Sequence, residues 1–353
     1  MPAFKPTLFT NLMRSARRTT RLTRALTDMF KLAAPPKKRK PAQRAKAKPT
    51  SAATTAPVLP TRLPAAGPRE AFVGGSFAYR RAEHAFKIYL PPAGTPIAGL
   101  VVMLHGCKQS PDDFATGTAM NTLARAAGYV VLYPAQSARA NAQRCWRWFE
   151  AAHQQRGVGE PAWIAALTRT VQRHYRVPLH QVFIAGLSAG GAMAAITAQR
   201  YPDLYAACGV HSGLAPGSAR GVLDALSVMR GGSGPWVGVG PDVALVRTIV
   251  FHGDHDQTVH PRHAAHVTAS AMGGKPSALS TESISVEAPA GRSYTRHLYR
   301  DPAGRVLGEQ WEIHGMGHAW SGGQPGGSYT DPSGPDASAA MLAFFGSATP
   351  SPK

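Results

Sequence analysis

Ser188 lies in the run Gly186-Leu187-Ser188-Ala189-Gly190-Gly191, directly after the apolar stretch Val182-Phe183-Ile184-Ala185 and before a segment of helical texture. A serine on so tight a strand-to-helix turn needs small neighbours, and the turn holds its hydroxyl above the sheet edge, where it can act as a nucleophile. The bare pattern G-x-S-x-G also occurs in ordinary glycine-rich turns. The strand before it and the helix after it favour the chemical reading. Activating a serine takes a base, and the base takes a carboxylate to orient it. Downstream, Thr248-Ile249-Val250-Phe251 runs into His252-Gly253-Asp254-His255-Asp256, which offers Asp254 and Asp256 as the acid; spacing alone does not separate them. Further on, Gly315-Met316-Gly317-His318 follows an apolar and polar alternation over 310–313. The glycines flanking Met316 permit the sharp loop that returns an imidazole over the serine, so His318 is the expected base and His314 its rival. Of the fourteen histidines, most others, His263 and His266 included, are expected at the surface.

A carbonyl under attack gains negative charge on oxygen, and that charge needs donors already in place. One is expected from the amide after the nucleophile, Ala189 N–H. The other belongs in the loop after the third strand, where Leu104-His105-Gly106-Cys107 makes Cys107 N–H the candidate.

These groups must be carried by a sheet. Short apolar runs at 99–104, 129–133, 182–186, 206–211 and 248–252 read as buried strands, with an opening hairpin at 77–81 and 85–90. Helical segments are expected at 117–127, 161–175, 190–200 and 261–272. Strands apolar along their whole length, separated by helices, predict an α/β fold with a mostly parallel central sheet and helices on both faces.

The net charge of +20 would suggest a polyanion partner if it were evenly spread, but residues 1–50 hold fourteen Lys or Arg against the single acid Asp28. Basicity therefore belongs mainly to the tail. Residues 1–34 read as a basic amphipathic helix, with Leu8, Leu12, Leu22, Leu26 and Phe30 interleaved with arginines. Residues 35–69, rich in Pro, Ala, Thr and Lys, read as a disordered linker. The catalytic domain is expected over 70–347, with a disordered tail over 348–353. The basic helix could bind a granule surface, an anionic membrane or nucleic acid. No apolar run reaches the roughly 20 residues a membrane span needs. No signal-peptide pattern is recognised, which predicts a cytoplasmic location. The three cysteines, Cys107, Cys145 and Cys208, match no zinc spacing.

Taken together, these blocks resemble the polyhydroxybutyrate depolymerase family of esterases, of the α/β-hydrolase superfamily and related to feruloyl and acetylxylan esterases. The resemblance rests on Leu104 to Cys107, Tyr133-Pro134, Cys145-Trp146-Arg147-Trp148-Phe149, Arg156 to Pro161, Gly186 to Met193, His211-Ser212-Gly213, His252 to Asp256 and Gly317 to Gly323. It implies Ser188, Asp256 and His318 as a triad, favouring Asp256 over Asp254, with the Cys107 and Ala189 amides as oxyanion donors. It also implies that Trp320, Trp146 and Trp148 line the acyl pocket, core packing being the alternative. The implied substrates are carboxylic esters, foremost poly- or oligo(3-hydroxyalkanoates), with feruloyl, acetyl or other small esters as the alternative. No metal or organic cofactor enters this chemistry. Secreted members of the family make an extracellular location the alternative to a cytoplasmic one. Cys107 and Cys145 could be bonded in an oxidising compartment, and reduced thiols fit the sequence equally well.

Overall fold

The computed structural model describes residues 63–65, 67–232, 245–274 and 278–347. The helix expected over 1–34, most of the linker expected over 35–69 and the tail expected over 348–353 lie outside the described residues. The last linker residues are packed: Leu63 is buried, the Tyr175 hydroxyl donates to the Pro64 carbonyl, and Ala93 N–H donates to Gly67. The folded domain therefore reaches back past the boundary expected near residue 69.

Strands β1 (Ala71–Tyr79) and β2 (Ala82–Leu90) form the expected hairpin, and Arg80, at φ 55°, ends β1 before residue 81. β2 pairs antiparallel with β4 (Tyr129–Pro134). From β4 the sheet runs parallel through β3 (Gly99–Leu104), β5 (Val182–Leu187), β6 (Ala207–His211), β7 (Arg247–Gly253) and β10 (Val306–Ile313). Antiparallel β9 (Tyr294–Arg300) and β8 (Ser280–Val286) extend the far side. Every residue of β3, β4, β5 and β6 is buried, as a parallel sheet covered on both faces requires.

The helix expected over 117–127 forms from residue 120, and another precedes it: α1 (Pro111–Thr118) and α2 (Met120–Ala127) are separated by left-handed Ala119 at φ 50°. α1 begins with Ser110 as cap, its hydroxyl accepting from Asp113 N–H, and with Pro111 in the first turn, where a missing N–H costs nothing. The Thr118 hydroxyl donates back to the Phe114 carbonyl, a local bond that competes with helix continuation. α3 (Gly159–His174), α4 (Ala189–Arg200) and α6 (His263–Ala271) pack in sequence against one another and the sheet, whereas α1, α2 and α7 (Ala337–Gly346) share one apolar cluster with β3, β5 and β7. α5 (Val222–Met229) follows β6. Among the described residues no helix is long and apolar enough to cross a membrane. With β3, β5, β6, β7 and β10 side by side and parallel, the loops leaving them converge on one sheet edge.

Candidate active site

Ser188 takes φ 57° and ψ −121° between the end of β5 and the start of α4. A serine holds this sparsely populated conformation only where its surroundings impose it, at a cost of about 1–3 kcal/mol. Here the Ser188 N–H donates to the His211 carbonyl of β6 at 2.8 Å, and the flanking glycines make room. A Cβ on Gly186 would sit 2.4 Å from the Gly190 backbone, and one on Gly190 would sit 2.1 Å from the Leu104 carbonyl oxygen. Neither clash has a side chain that could yield. Among the described residues the Ser188 hydroxyl makes no hydrogen bond, with His318 or with any other group.

The loop after β3 is built around buried His105. Its Nδ1–H donates to the Gly106 carbonyl at 2.8 Å, and its Nε2 accepts from Gln136 N–H at 3.2 Å, which sets the tautomer. The Gly106, Lys108 and Gln109 amides are all occupied, by the Gln109 side chain, the Gln143 carbonyl and the Gly106 carbonyl. Among the described residues the Cys107 amide alone in this turn has no acceptor. Ala189 N–H is the first amide of α4, which helix geometry leaves without an internal partner. A disulfide joins Cys107 to Cys145, and buried Cys208 is free.

Asp256 follows β7, and His318 lies in the loop after β10. Asp256 Oδ1 accepts from Thr258 N–H at 2.8 Å and Val259 N–H at 2.9 Å; Oδ2 accepts from His318 Nδ1–H at 2.6 Å. This leaves His318 Nε2 for another partner. Burial by itself would raise the Asp256 pKa, but hydrogen bonds from His252 and His318 more than offset it and hold the carboxyl well below the ordinary carboxylate range. The rivals pair with each other: His314 Nδ1 meets Asp254 Oδ2 at 3.1 Å, and Gly315 N–H donates to Asp254 Oδ1 at 2.7 Å. Their side chains are 42% and 28% exposed, against 12% for His318 and none for Asp256. The outer pair thus braces the two loops that carry the inner one. Glu312 joins Asp254 and His314 as a group whose ligand atoms lie within 4.8 Å of one another, the one place among the described residues where a metal ion finds three such atoms.

The tryptophans depart from expectation. Trp146, Trp148 and Trp320, expected to line the acyl pocket, are 0%, 3% and 1% exposed and belong to the interior. Two of the three satisfy their indole N–H inside the protein: Trp146 donates to the His105 carbonyl and Trp320 to the Ser338 hydroxyl. Trp320 also stacks on His211, and its loop is pinned there, since Ser321 N–H donates to His211 Nε2 at 3.0 Å. Within the Arg156 to Pro161 motif, buried Glu160 accepts from the Arg147 N–H and from the Gln136 amide, bonding this segment to the one after β4.

His263, expected at the surface, is also buried, because the first turn of α6 faces α5 and its Nε2 donates to the Val228 carbonyl. Burial lowers the pKa of His105, His153 and His263 alike from 6.5 to about 4. Above pH 6.5 these rings are neutral in the folded and unfolded chain. Below it the unfolded chain takes up protons that the folded chain refuses until about pH 4. Each ring then removes up to about 1.4 kcal/mol of stability per pH unit across that window. Thermal melts should therefore fall steadily as pH drops from 6.5 towards 4, and a flat melting temperature there would contradict the burial.

Comparison with known proteins places this geometry in context. Poly(3-hydroxyalkanoate) depolymerase C of Paucimonas lemoignei is 28% identical over 243 residues, 64% of this chain and 56% of that protein. Acetylxylan esterase A of Talaromyces purpureogenus is 28% identical over 192 residues, 50% of each. The chain thus spans about half the length of these relatives. An acetyl xylan esterase structure from Aspergillus awamori superposes with a TM-score of 0.59 at 21% identity, covering 75% of this chain and 94% of that one, a likeness of fold. Residues 84–274 match the family described as Esterase PHB depolymerase, from β2 to the end of α6. With more than half its length inside that match, the chain belongs to the esterase PHB depolymerase family, on an α/β-hydrolase fold.

Proposed function

We propose that the chain is a serine esterase for carboxylic esters, with oligo- or poly(3-hydroxyalkanoate) esters as its preferred substrates. The observation that carries this reading is the His318–Asp256 pair, at 2.6 Å, with Asp256 buried, on the same sheet edge as the Ser188 turn. In the proposed cycle Ser188 Oγ attacks the ester carbonyl while His318 Nε2 takes its proton. The oxyanion is held by the Cys107 and Ala189 amides. Collapse of the tetrahedral adduct breaks the ester C–O bond, and His318 returns the proton to the departing alcohol. Water, deprotonated by His318, then cleaves the acyl-serine by the same route.

The depolymerase relative supports a hydroxyalkanoate ester, whereas the acetylxylan esterase relatives support an acetyl ester on the same machinery. Purified protein offered amorphous polyhydroxybutyrate, 3-hydroxybutyrate oligomers, methyl ferulate and p-nitrophenyl acetate separates them. Highest kcat/KM is expected on the oligomers, and a preference for the acetyl or feruloyl ester would move the assignment. The Cys107–Cys145 bond supports the extracellular alternative over a cytoplasmic location, because such bonds persist where thiols are not kept reduced.

A further inference from the structure

His252 ends the apolar run of β7 and is 2% exposed. Its Nε2 lies 2.9 Å from the Val259 carbonyl and 3.3 Å from Asp256 Oδ2. Both neighbours accept hydrogen bonds, so Nε2 must carry the ring proton. Nδ1 is then a bare lone pair, buried without a hydrogen-bond partner among the described residues. An apolar ring would fill the same space without that unsatisfied atom, so packing does not account for an imidazole here. What the imidazole provides is an N–H that donates to the Val259 carbonyl at 2.9 Å and lies against the Asp256 carboxylate at 3.3 Å. Asp256 accepts three hydrogen bonds, from Thr258 N–H and Val259 N–H on Oδ1 and from His318 on Oδ2, and His252 Nε2 stands beside them, 3.3 Å from Oδ2.

We propose that His252 is a positioning residue for the catalytic acid, its Nε2–H holding the Val259 carbonyl, whose own residue donates to Asp256 Oδ1, while the ring lies against Oδ2 and limits the carboxylate's rotation away from the base. The inference rests on the Ser188, His318 and Asp256 reading and extends it to a fourth side chain. Among the described residues the ionisable groups around the carboxylate are His252 from β7, His318 from the loop after β10, and His211 from β6, whose field also reaches it. Asp254 turns outward to His314. Removing His252 therefore has two consequences. The carboxylate loses one restraint, which lowers kcat. It also keeps more of its negative charge for His318, which then holds its proton more tightly and moves the acid limb of kcat/KM to higher pH.

His252→Asn and His252→Gln separate this role from packing, because a glutamine amide nitrogen reaches the position of Nε2 and an asparagine amide reaches only that of Nδ1. His252→Asn is expected to lower kcat by about 10-fold, the loss of the Nε2–H that holds Val259 beside the carboxylate, with KM unchanged and the acid limb raised. His252→Gln should recover most of kcat and return the limb. Circular dichroism melts verify that each variant is folded, and His252→Phe replaces His252→Asn if that variant is not. Wild-type kcat in His252→Asn, or an equal loss in both variants with an unmoved limb, overturns the proposal. Ser188→Ala in the same assay keeps the two readings apart. If it stays active the triad itself is wrong, and if it is dead while His252→Asn is unimpaired, the inference on His252 alone falls.

Discussion

Ser188→Ala should lower ester turnover by about a million-fold, down to what the oxyanion donors and substrate binding achieve unaided. The fold should survive. The Ser188 hydroxyl makes no hydrogen bond among the described residues, and alanine meets the same backbone strain at φ 57° as serine does. The Ser188 hydroxyl is thus separable from the turn that presents it, since that turn is secured by the hydrogen bond from Ser188 N–H to the His211 carbonyl and by Gly186 and Gly190. Initial rates on p-nitrophenyl esters, with far-ultraviolet circular dichroism as the control, measure both halves. A folded Ser188→Ala protein with near wild-type rates would end the serine-esterase assignment.

Asp256→Asn should cost about ten-thousand-fold in kcat, and Asp254→Asn only a small factor. The difference follows from the hydrogen-bond directions. Thr258 and Val259 N–H both need an acceptor, so the new amide must keep its oxygen toward them and turn its NH2 toward His318. Faced with a donor, His318 Nδ1 has to accept. The ring proton moves to Nε2, where it blocks uptake of the serine proton. At residue 254 the exchange disturbs only the partly exposed brace to His314 and Gly315. Parallel kcat/KM measurements on the two variants decide the matter, and a larger loss at Asp254 would exchange the roles of the inner and outer pairs.

The sheet's centre was legible because β3, β4, β5, β6 and β7 are buried on both faces, and full burial leaves an unbroken apolar run in the sequence. β8 was not legible for the opposite reason: Ser280-Thr281-Glu282-Ser283-Ile284-Ser285 is exposed on both faces, so no hydrophobic period marks it as a strand. α1 went unseen because its signal is a cap and a proline rather than an apolar stripe. Within the site, Ser188 stands out through local spacing, as do Ala189 and Cys107 through their place after a strand. Asp254 and Asp256 are equivalent by spacing, and only the three-dimensional return of the 314–318 loop distinguishes a solvent-facing pair from a buried one. Trp146, Trp148 and Trp320 show the limit from the other side. An aromatic beside a catalytic motif reads the same whether it faces substrate or backs the residues that do, and these three are turned inward. His211 and His252 carry the same ambiguity, since a buried histidine is recognised by its partners.

The loop holding the Cys107 amide is tied to the segment after β4 by the disulfide, by Lys108 N–H to the Gln143 carbonyl, by Gln136 N–H to His105 and by the Trp146 indole to the His105 carbonyl. All four ties land on residues 136 and 143–146. Between them, residues 137–140 are exposed on every side chain. The loop therefore divides its labour, with a base tied to the loop after β3 and a tip whose hydrogen bonds stay within it, Ala140 and Asn141 N–H both donating to the Ser137 carbonyl. Insertions at the tip can be longer or chemically different while the amide beneath stays in register. For enzyme engineering this marks 137–140 as a graft point at which a new recognition element could be added without touching the four ties to the Cys107 loop.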